Sequence, residues 1–324
     1  MISRVVAQML LAFTVLRIVP VDAANLEWKI GIPTAPEALA APLLSLMSTP
    51  ISLPASNDRF LPPKKTDLSS YGVVTDAQSV FVADTESGAA LFAKNADDVR
   101  AIGSITKLMT AIVFLDTKPD LDSWVKIVDD DYVGGAIVHL NFNDGIRLRD
   151  VLGASIVGSD NTATKALSRL SGMSYEDFIL AMNAKAKELE MTSSTFTEVT
   201  GIDSGNVSTA RDLMLLLREA ERSDELVTFM TSDQISVRHV SGAAFTVQST
   251  DALFDSLLDQ KPYMITGGKT GYIPEAGYCF ITTVDHDGDE VFVAVLGARS
   301  KLDRFNDAKA LAVWAFNTFT WPKL

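Results

Sequence analysis

The segment Ala101-Ile102-Gly103-Ser104-Ile105-Thr106-Lys107-Leu108-Met109-Thr110-Ala111 decides how this chain is read. From Ser104 onward, Ile105, Leu108, Met109, Ile112 and Leu115 recur at three- and four-residue steps. That spacing predicts a helix with one buried stripe. Ser104 and Lys107 stand at i and i+3, so a hydroxyl and an amine share one face at the helix start. Backbone N–H groups without intrahelical partners collect at the same place. A nucleophile, a base and a source of oxyanion donors are therefore within one turn of each other.

Strand-like runs flank this helix on both sides. Ser79–Asp84 and Ala89–Lys94 are separated by Thr85-Glu86-Ser87-Gly88 and read as a hairpin. Trp124–Val128 reads as a short strand. Residues 147–157, 162–170, Tyr175–Leu189 and Thr209–Ala220 read as helices. Met264–Lys269, Tyr278–Val284 and Val291–Gly297 read as strands, and Asp303–Phe319 as a closing helix with Phe305, Ala308, Ala312, Ala315 and Phe319 on one face. Strands at both ends enclosing a helical middle predict an α/β (α+β) fold. In it an antiparallel sheet built from the first and last segments is flanked by helices and carries a mostly helical subdomain.

Composition narrows the function. With 28 Lys+Arg against 41 Asp+Glu the net charge is −13, and no basic block offsets it, which argues against nucleic acid as a partner. An apolar fraction of 47% with 21% charged residues supports a sizeable core rather than disorder. The single Cys279 excludes a disulfide framework. His139, His239 and His286 form no HxxxH pair, so no metal or other cofactor is expected. Cys279, in an apolar strand, reads as packing, and the carboxylates around the Trp124 run, Asp129 to Asp131 among them, read as solvated.

Residues 1–23 read as a secretory signal: Arg4, then an apolar run from Val5 to Leu16, then Val21-Asp22-Ala23 as a cleavage site. Eight of the 12 prolines fall in the first 63 residues, so 24–68 reads as a proline-rich linker or arm and 69–324 as the catalytic domain. The signal predicts export, with peripheral membrane association left open.

Two further motifs follow the first in order: Ser159-Asp160-Asn161 and Lys269-Thr270-Gly271. Decoys exist. Ser123-Trp124-Val125-Lys126 repeats the SxxK pattern, but in a strand i and i+3 face opposite ways. Ser204-Gly205-Asn206 repeats SxN, but in a glycine loop that reads as turn chemistry. Standing alone, Ser104 and Ser159 would each read as helix N-caps.

Taken together, the trio and its surroundings resemble the serine D-Ala-D-Ala carboxypeptidase and endopeptidase family, the low-molecular-mass penicillin-binding proteins. Gly268-Lys269-Thr270-Gly271-Tyr272 with Glu275-Ala276-Gly277-Tyr278 is similar to that family's third motif, and Ser208-Thr209-Ala210-Arg211-Asp212-Leu213 to a further segment. The resemblance covers about 75 to 320 and looks like the minimal catalytic form. It implies the β-lactamase/DD-peptidase-like fold and cleavage of D-Ala-D-Xaa bonds in peptidoglycan stem peptides in the periplasmic or cell-wall space, with β-lactams as inhibitors. Ser104 would be the nucleophile and Lys107 its base, depressed by burial and by the Lys269 cation. Ser159 would relay the proton to the leaving amine, and Asn161 would hold Lys107 and the substrate backbone. Lys269 would supply positive potential and Thr270 would bind the substrate carboxylate. Gly271 belongs to the same motif, and Tyr272 with Ser104 would give the oxyanion N–H groups. Arg211 is a substrate-binding candidate that could equally be structural, because Thr209 and Asp212 look like a capping box. A class A-like β-lactamase would need an ExxLN glutamate; Glu176, Glu188, Glu190 and Glu198 all lack Leu-Asn after them. A non-catalytic penicillin-recognising sensor is the other alternative.

Overall fold

The computed structural model describes residues 61–135 and 138–322. The expected signal, residues 1–23, and residues 24–60 of the expected arm lie outside the described residues. The central sheet is antiparallel and five-stranded. Its strands are β1 (Ser79–Asp84), β2 (Ala90–Lys94), β3 (Tyr263–Ile273), β4 (Gly277–His286) and β5 (Asp289–Ala298), in the order β3-β4-β5-β1-β2. The sequence-distant β1 and β5 lie side by side, with Val82 opposite Val293. The expected closure of the sheet by the first and last segments is met.

Both faces of this sheet are covered, which explains why β1 is buried at every residue rather than at alternate ones. Alternation survives in which core each side chain enters. Val80, Val82, Val293 and Val295 pack with Phe305, Ala308, Leu311, Ala312 and Ala315 of the closing helix, α7 (Lys301–Thr318). Phe81, Ala83, Phe292 and Ala294 face the helical layer. That layer contains α1 (Thr106–Asp116), α2 (Leu148–Ile156), α3 (Asn161–Leu170), α4 (Tyr175–Glu188), α5 (Asp212–Ala220) and α6 (Asp224–Met230).

Three expectations change. First, α1 carries no single stripe: every residue from Thr106 to Phe114 is buried, because neighbouring elements surround this helix. Ser104 itself lies in a 3-10 turn, Gly103–Ile105, that leads into α1. Second, Phe319 leaves the helix and pairs as extended chain with Lys65, so residues 64–66 of the expected arm belong to the folded unit; Thr66 N–H and its hydroxyl both donate to Thr318 O. Third, α6 and the hairpin Gln234–Arg238/Ala244–Gln248 were not anticipated. In that hairpin only Val237 and Val247 are buried, too few to set a period.

Two glycines fix how the layers meet. Gly271 of β3 passes so close to Ile102 O that a Cβ there would lie far inside van der Waals contact. Gly201 does the same against Gly103 O, at φ +86°, where a side chain also strains the backbone. Gly201→Ala should therefore destabilise the fold by more than Gly288→Ala, which has a similar φ of +93° but open space around it. The second change carries backbone strain alone, on the order of 1 kcal/mol. Equal thermal unfolding midpoints for the two variants would contradict this reading of the Gly201 contact.

Candidate active site

Lys107 is 0% exposed, on the first turn of α1. Its Nζ lies 2.7 Å from Ser104 Oγ, 2.7 Å from Asn161 Oδ1 and 2.7 Å from Thr200 O. The last two are acceptors with no proton to give. A neutral amine has two N–H bonds and one lone pair. If the N–H bonds go to Asn161 and Thr200, the lone pair is left for the Ser104 hydroxyl. Burial lowers the Lys107 pKa to about 7, against the opposing pull of the Glu198 and Asp160 charges.

Asn161 begins α3, and its Nδ2 donates to Gly134 O at 2.9 Å, which orients Oδ1 toward Lys107. The cap of α3 is Asp160, not Ser159: Asp160 Oδ1 accepts from Ala163 N–H at 3.0 Å, and Oδ2 accepts from His139 N–H at 2.8 Å. Ser159, at φ +56°, turns away from the helix instead, and its Oγ accepts from Lys269 Nζ at 2.9 Å. Lys269 also donates to Thr270 O at 3.2 Å. Its pKa falls well below the lysine range, first from burial and then from the Lys107 and Arg304 cations, while Asp251 opposes. The expected repulsion between the two lysines thus bears on Lys269, and burial dominates at Lys107.

Thr270 Oγ1 lies 2.6 Å from Thr250 Oγ1, and the Tyr272 ring stacks on Tyr278 at 4.3 Å. A Cβ on Gly103 would meet Tyr272 N at 2.7 Å, so the backbone of β3 runs directly against the Ser104 turn. A cavity of about 1020 Å³ opens here, lined by Ser104, Ser159, Asn161, Thr270, Gly271 and Tyr272.

Sequence reasoning missed three parts. Arg304 of α7 lines the cavity while 4% exposed, and its Nη1 donates to Gly271 O at 3.1 Å and Cys279 O at 3.2 Å. An arginine in a helix 35 residues beyond Lys269 carries no local signal. Thr200 O is a backbone atom, invisible to motif reading. Asp251 is half-buried, with its Oδ2 enclosed beside Gly268; burial raises its pKa to about 6, and it supplies negative charge near Arg304 and Lys269.

Arg211 is not part of the cavity lining. Its Nε and Nη2 donate to Asp97 at 2.7 and 3.1 Å, and the guanidinium lies over the Phe81 ring. Thr209 Oγ1 accepts from Asp212 N–H, as a cap should. Asp131 is buried rather than solvated, held by Arg169 through two 2.7 Å contacts. Cys279 is buried in β4, its thiol pushed up to about 11 by burial. Ser123 Oγ donates to Asp120 O, away from the cavity. Asn206 is a structural knot: its side chain accepts from Thr197 and Glu198 N–H and donates to Thr106 Oγ1 and Glu198 O. Glu198 accepts from Thr200 N–H, Thr200 Oγ1, Gly201 N–H and Asn206, so its carboxylate braces the loop that presents Thr200 O.

A profile described as D-alanyl-D-alanine carboxypeptidase matches residues 67–300 of this chain. The chain belongs to this family. It is a serine DD-peptidase, as the motifs implied. It is 33% identical to a D-alanyl-D-alanine endopeptidase of Pseudomonas aeruginosa, over 84% of this chain and 87% of that one. It is 32% identical to the D-alanyl-D-alanine endopeptidase of Escherichia coli, over 73% and 76%. A Streptomyces DD-transpeptidase crystal structure superposes with a TM-score of 0.71 at 27% identity, covering 76% of this chain and all (100%) of the other.

The amine form of Lys107, the form that a general base requires, grows as pH rises through the folded-state pKa. Acylation by a fluorescent penicillin should therefore rise with pH through about 7 and level off above it, and Lys107→Ala should abolish it. A rate that keeps climbing toward the free-lysine value of about 10.4 would contradict a desolvated base.

Proposed function

We propose that Ser104 Oγ attacks the D-alanine carbonyl of a D-Ala-D-Xaa amide while Lys107 Nζ takes its proton. The observation that carries this is the pair of acceptor-only partners that leaves the lone pair of Lys107 to Ser104. The oxyanion would be held by the N–H groups of Ser104 and Tyr272, a reading supported by the close approach of Tyr272 N to Gly103, the residue before Ser104. Ser159, bonded to Lys269, would pass a proton to the leaving amine. The leaving residue's carboxylate would bind Thr270, with Arg304 as a second cation beside Gly271. Water then cleaves the Ser104 ester. Arg211 is assigned a structural role through Asp97.

The substrate class is the peptide of the bacterial cell wall, reached across the inner membrane by way of the 1–23 signal, with residues 24–60 as a tether. Among the described residues no helix is long and apolar enough to cross a membrane. Penicillin acylates Ser104 in this reading. The engagement of Glu198 by four donors leaves it no freedom to activate water against the penicilloyl ester, which argues against a β-lactamase.

Between the two DD-peptidase activities we favour the endopeptidase. Three endopeptidase relatives are 33%, 32% and 29% identical to this chain, against 25–29% for five carboxypeptidase relatives. Incubation with a cross-linked muropeptide dimer should yield monomers by mass spectrometry. Ser104→Ala should lose both this activity and penicillin labelling, and Ser123→Ala should keep both. Release of D-alanine from monomers with the dimer left intact would overturn the endopeptidase choice.

A further inference from the structure

Of the three histidines, His139 stands on the wall of the catalytic cavity. Its side chain is 15% exposed and lies against Asp160, whose side chain is 0% exposed. Nδ1 of the ring is 3.4 Å from Asp160 Oδ2, enclosed and without a hydrogen bond. The same Oδ2 accepts from the His139 N–H, while Oδ1 caps α3. The catalytic mechanism gives this ring no part.

The ring is fixed by the same few residues that fix the base. Three successive side chains at the start of α3 hold the segment that carries it. Thr162 exchanges hydrogen bonds with the backbone of Val133, Asn161 donates to Gly134 O, and Asp160 accepts from His139 N–H. Asn161 is also an acceptor for Lys107. The residue that holds the amine and the residue that holds the imidazole are therefore neighbours in the chain.

Asp160 acts on both groups. Its charge favours the ammonium form of Lys107, as does that of Glu198. Glu198 is committed to its own loop by four donors. From β3, Lys269 faces Lys107, with Arg304 and Asp251 beside it. Glu275 and Lys301 line the cavity at exposed positions, where water and salt screen them. Thr246 and Gln248, from the hairpin that also lines the cavity, are neutral. Among the described residues, His139 is thus the basic side chain that pairs with Asp160. Histidine ordinarily changes its charge between pH 5 and 8. A proton on this ring offsets the Asp160 carboxylate, and a second cation on Lys107 is then disfavoured.

We propose that His139 is a positioning residue for the base: seated on Asp160, its imidazole competes with Lys107 for the negative charge of that carboxylate and so keeps Lys107 in the amine form as the pH falls. The proposal rests on the reading of Lys107 as the base of Ser104 and deepens it. Lys107 is sealed from solvent, whereas the ring borders the cavity and exchanges its proton with water there. The pair then binds protons as a unit rather than as two independent sites.

The test reads both protonation states in the resting protein, by NMR of lysines labelled with ¹³C at Cε and histidines labelled at Cε1. His139→Asn keeps a neutral donor beside Asp160 but takes no proton. It should raise the Lys107 midpoint by about one pH unit. His139→Arg, whose charge is permanent, should return that midpoint to the wild-type value or below it. Linkage requires that Lys107→Met raise the His139 midpoint by the same increment. In labelling by a fluorescent penicillin, His139→Asn should be about tenfold slower at pH 6, with the deficit shrinking as pH rises. Equal Lys107 midpoints in the wild type and His139→Asn would overturn the proposal. So would a His139 ring that stays neutral from pH 9 to pH 5, unequal increments in the two single variants, or a labelling deficit independent of pH, the mark of a structural lesion. The midpoints need no turnover, which separates the two readings. Coupled midpoints in a protein that takes no label at Ser104 would sustain the pairing and sink the function.

Discussion

A lysine amine cut off from water organises this protein. Lys107 has three partners at 2.7 Å, drawn from the Ser104 turn, the start of α3 and the 198–202 segment. Burying an ammonium there is costly, so the fold favours the neutral form. A neutral amine between two carbonyl-type acceptors can present its lone pair only to the remaining neighbour, and that neighbour is a serine hydroxyl. The proposed activation of Ser104 thus rests on where the acceptors stand.

Much of the surrounding structure keeps those acceptors in place. Glu198 gathers four donors and so sets the direction of Thr200 O, and Asn206 locks the same loop to Thr106 at the base of α1. Asn161 is aimed by Gly134 O, and Asp160 takes over the capping of α3, which frees Ser159 for Lys269. The close passage of Gly271 and Gly201 against the Ser104 turn brings strand, turn and loop together with no side chain between them. The total burial of α1 is the packing counterpart of the same requirement, since an exposed face beside Lys107 would readmit water.

What was legible in the sequence was whatever has a local period or a short motif. The i, i+3 relation of Ser104 and Lys107, the strand-like runs and the order of the three motifs all translate directly into geometry. Roles that depend on tertiary neighbours did not translate. Ser159 alone reads as the cap of α3, but Asp160 takes that place and Ser159, at positive φ, turns to Lys269. Arg304 reaches the site from a helix whose periodicity describes its packing against the sheet. Arg211 sits in a segment that resembles the family, yet it spends its charge on Asp97. The hairpin at 234–248 buries one residue per strand, which leaves no pattern to read.

The central claim concerns the protonation state of one amine, and it can be observed without catalysis. Lysine side chains labelled with ¹³C at Cε, with Lys107→Arg used to assign its resonance, can be followed by NMR across a pH titration. The account predicts that the Lys107 signal titrates near pH 7 in the folded protein, apart from the solvent-exposed lysines at about 10.4. A Lys107 resonance that stays in the ammonium position until the exposed lysines titrate would contradict it.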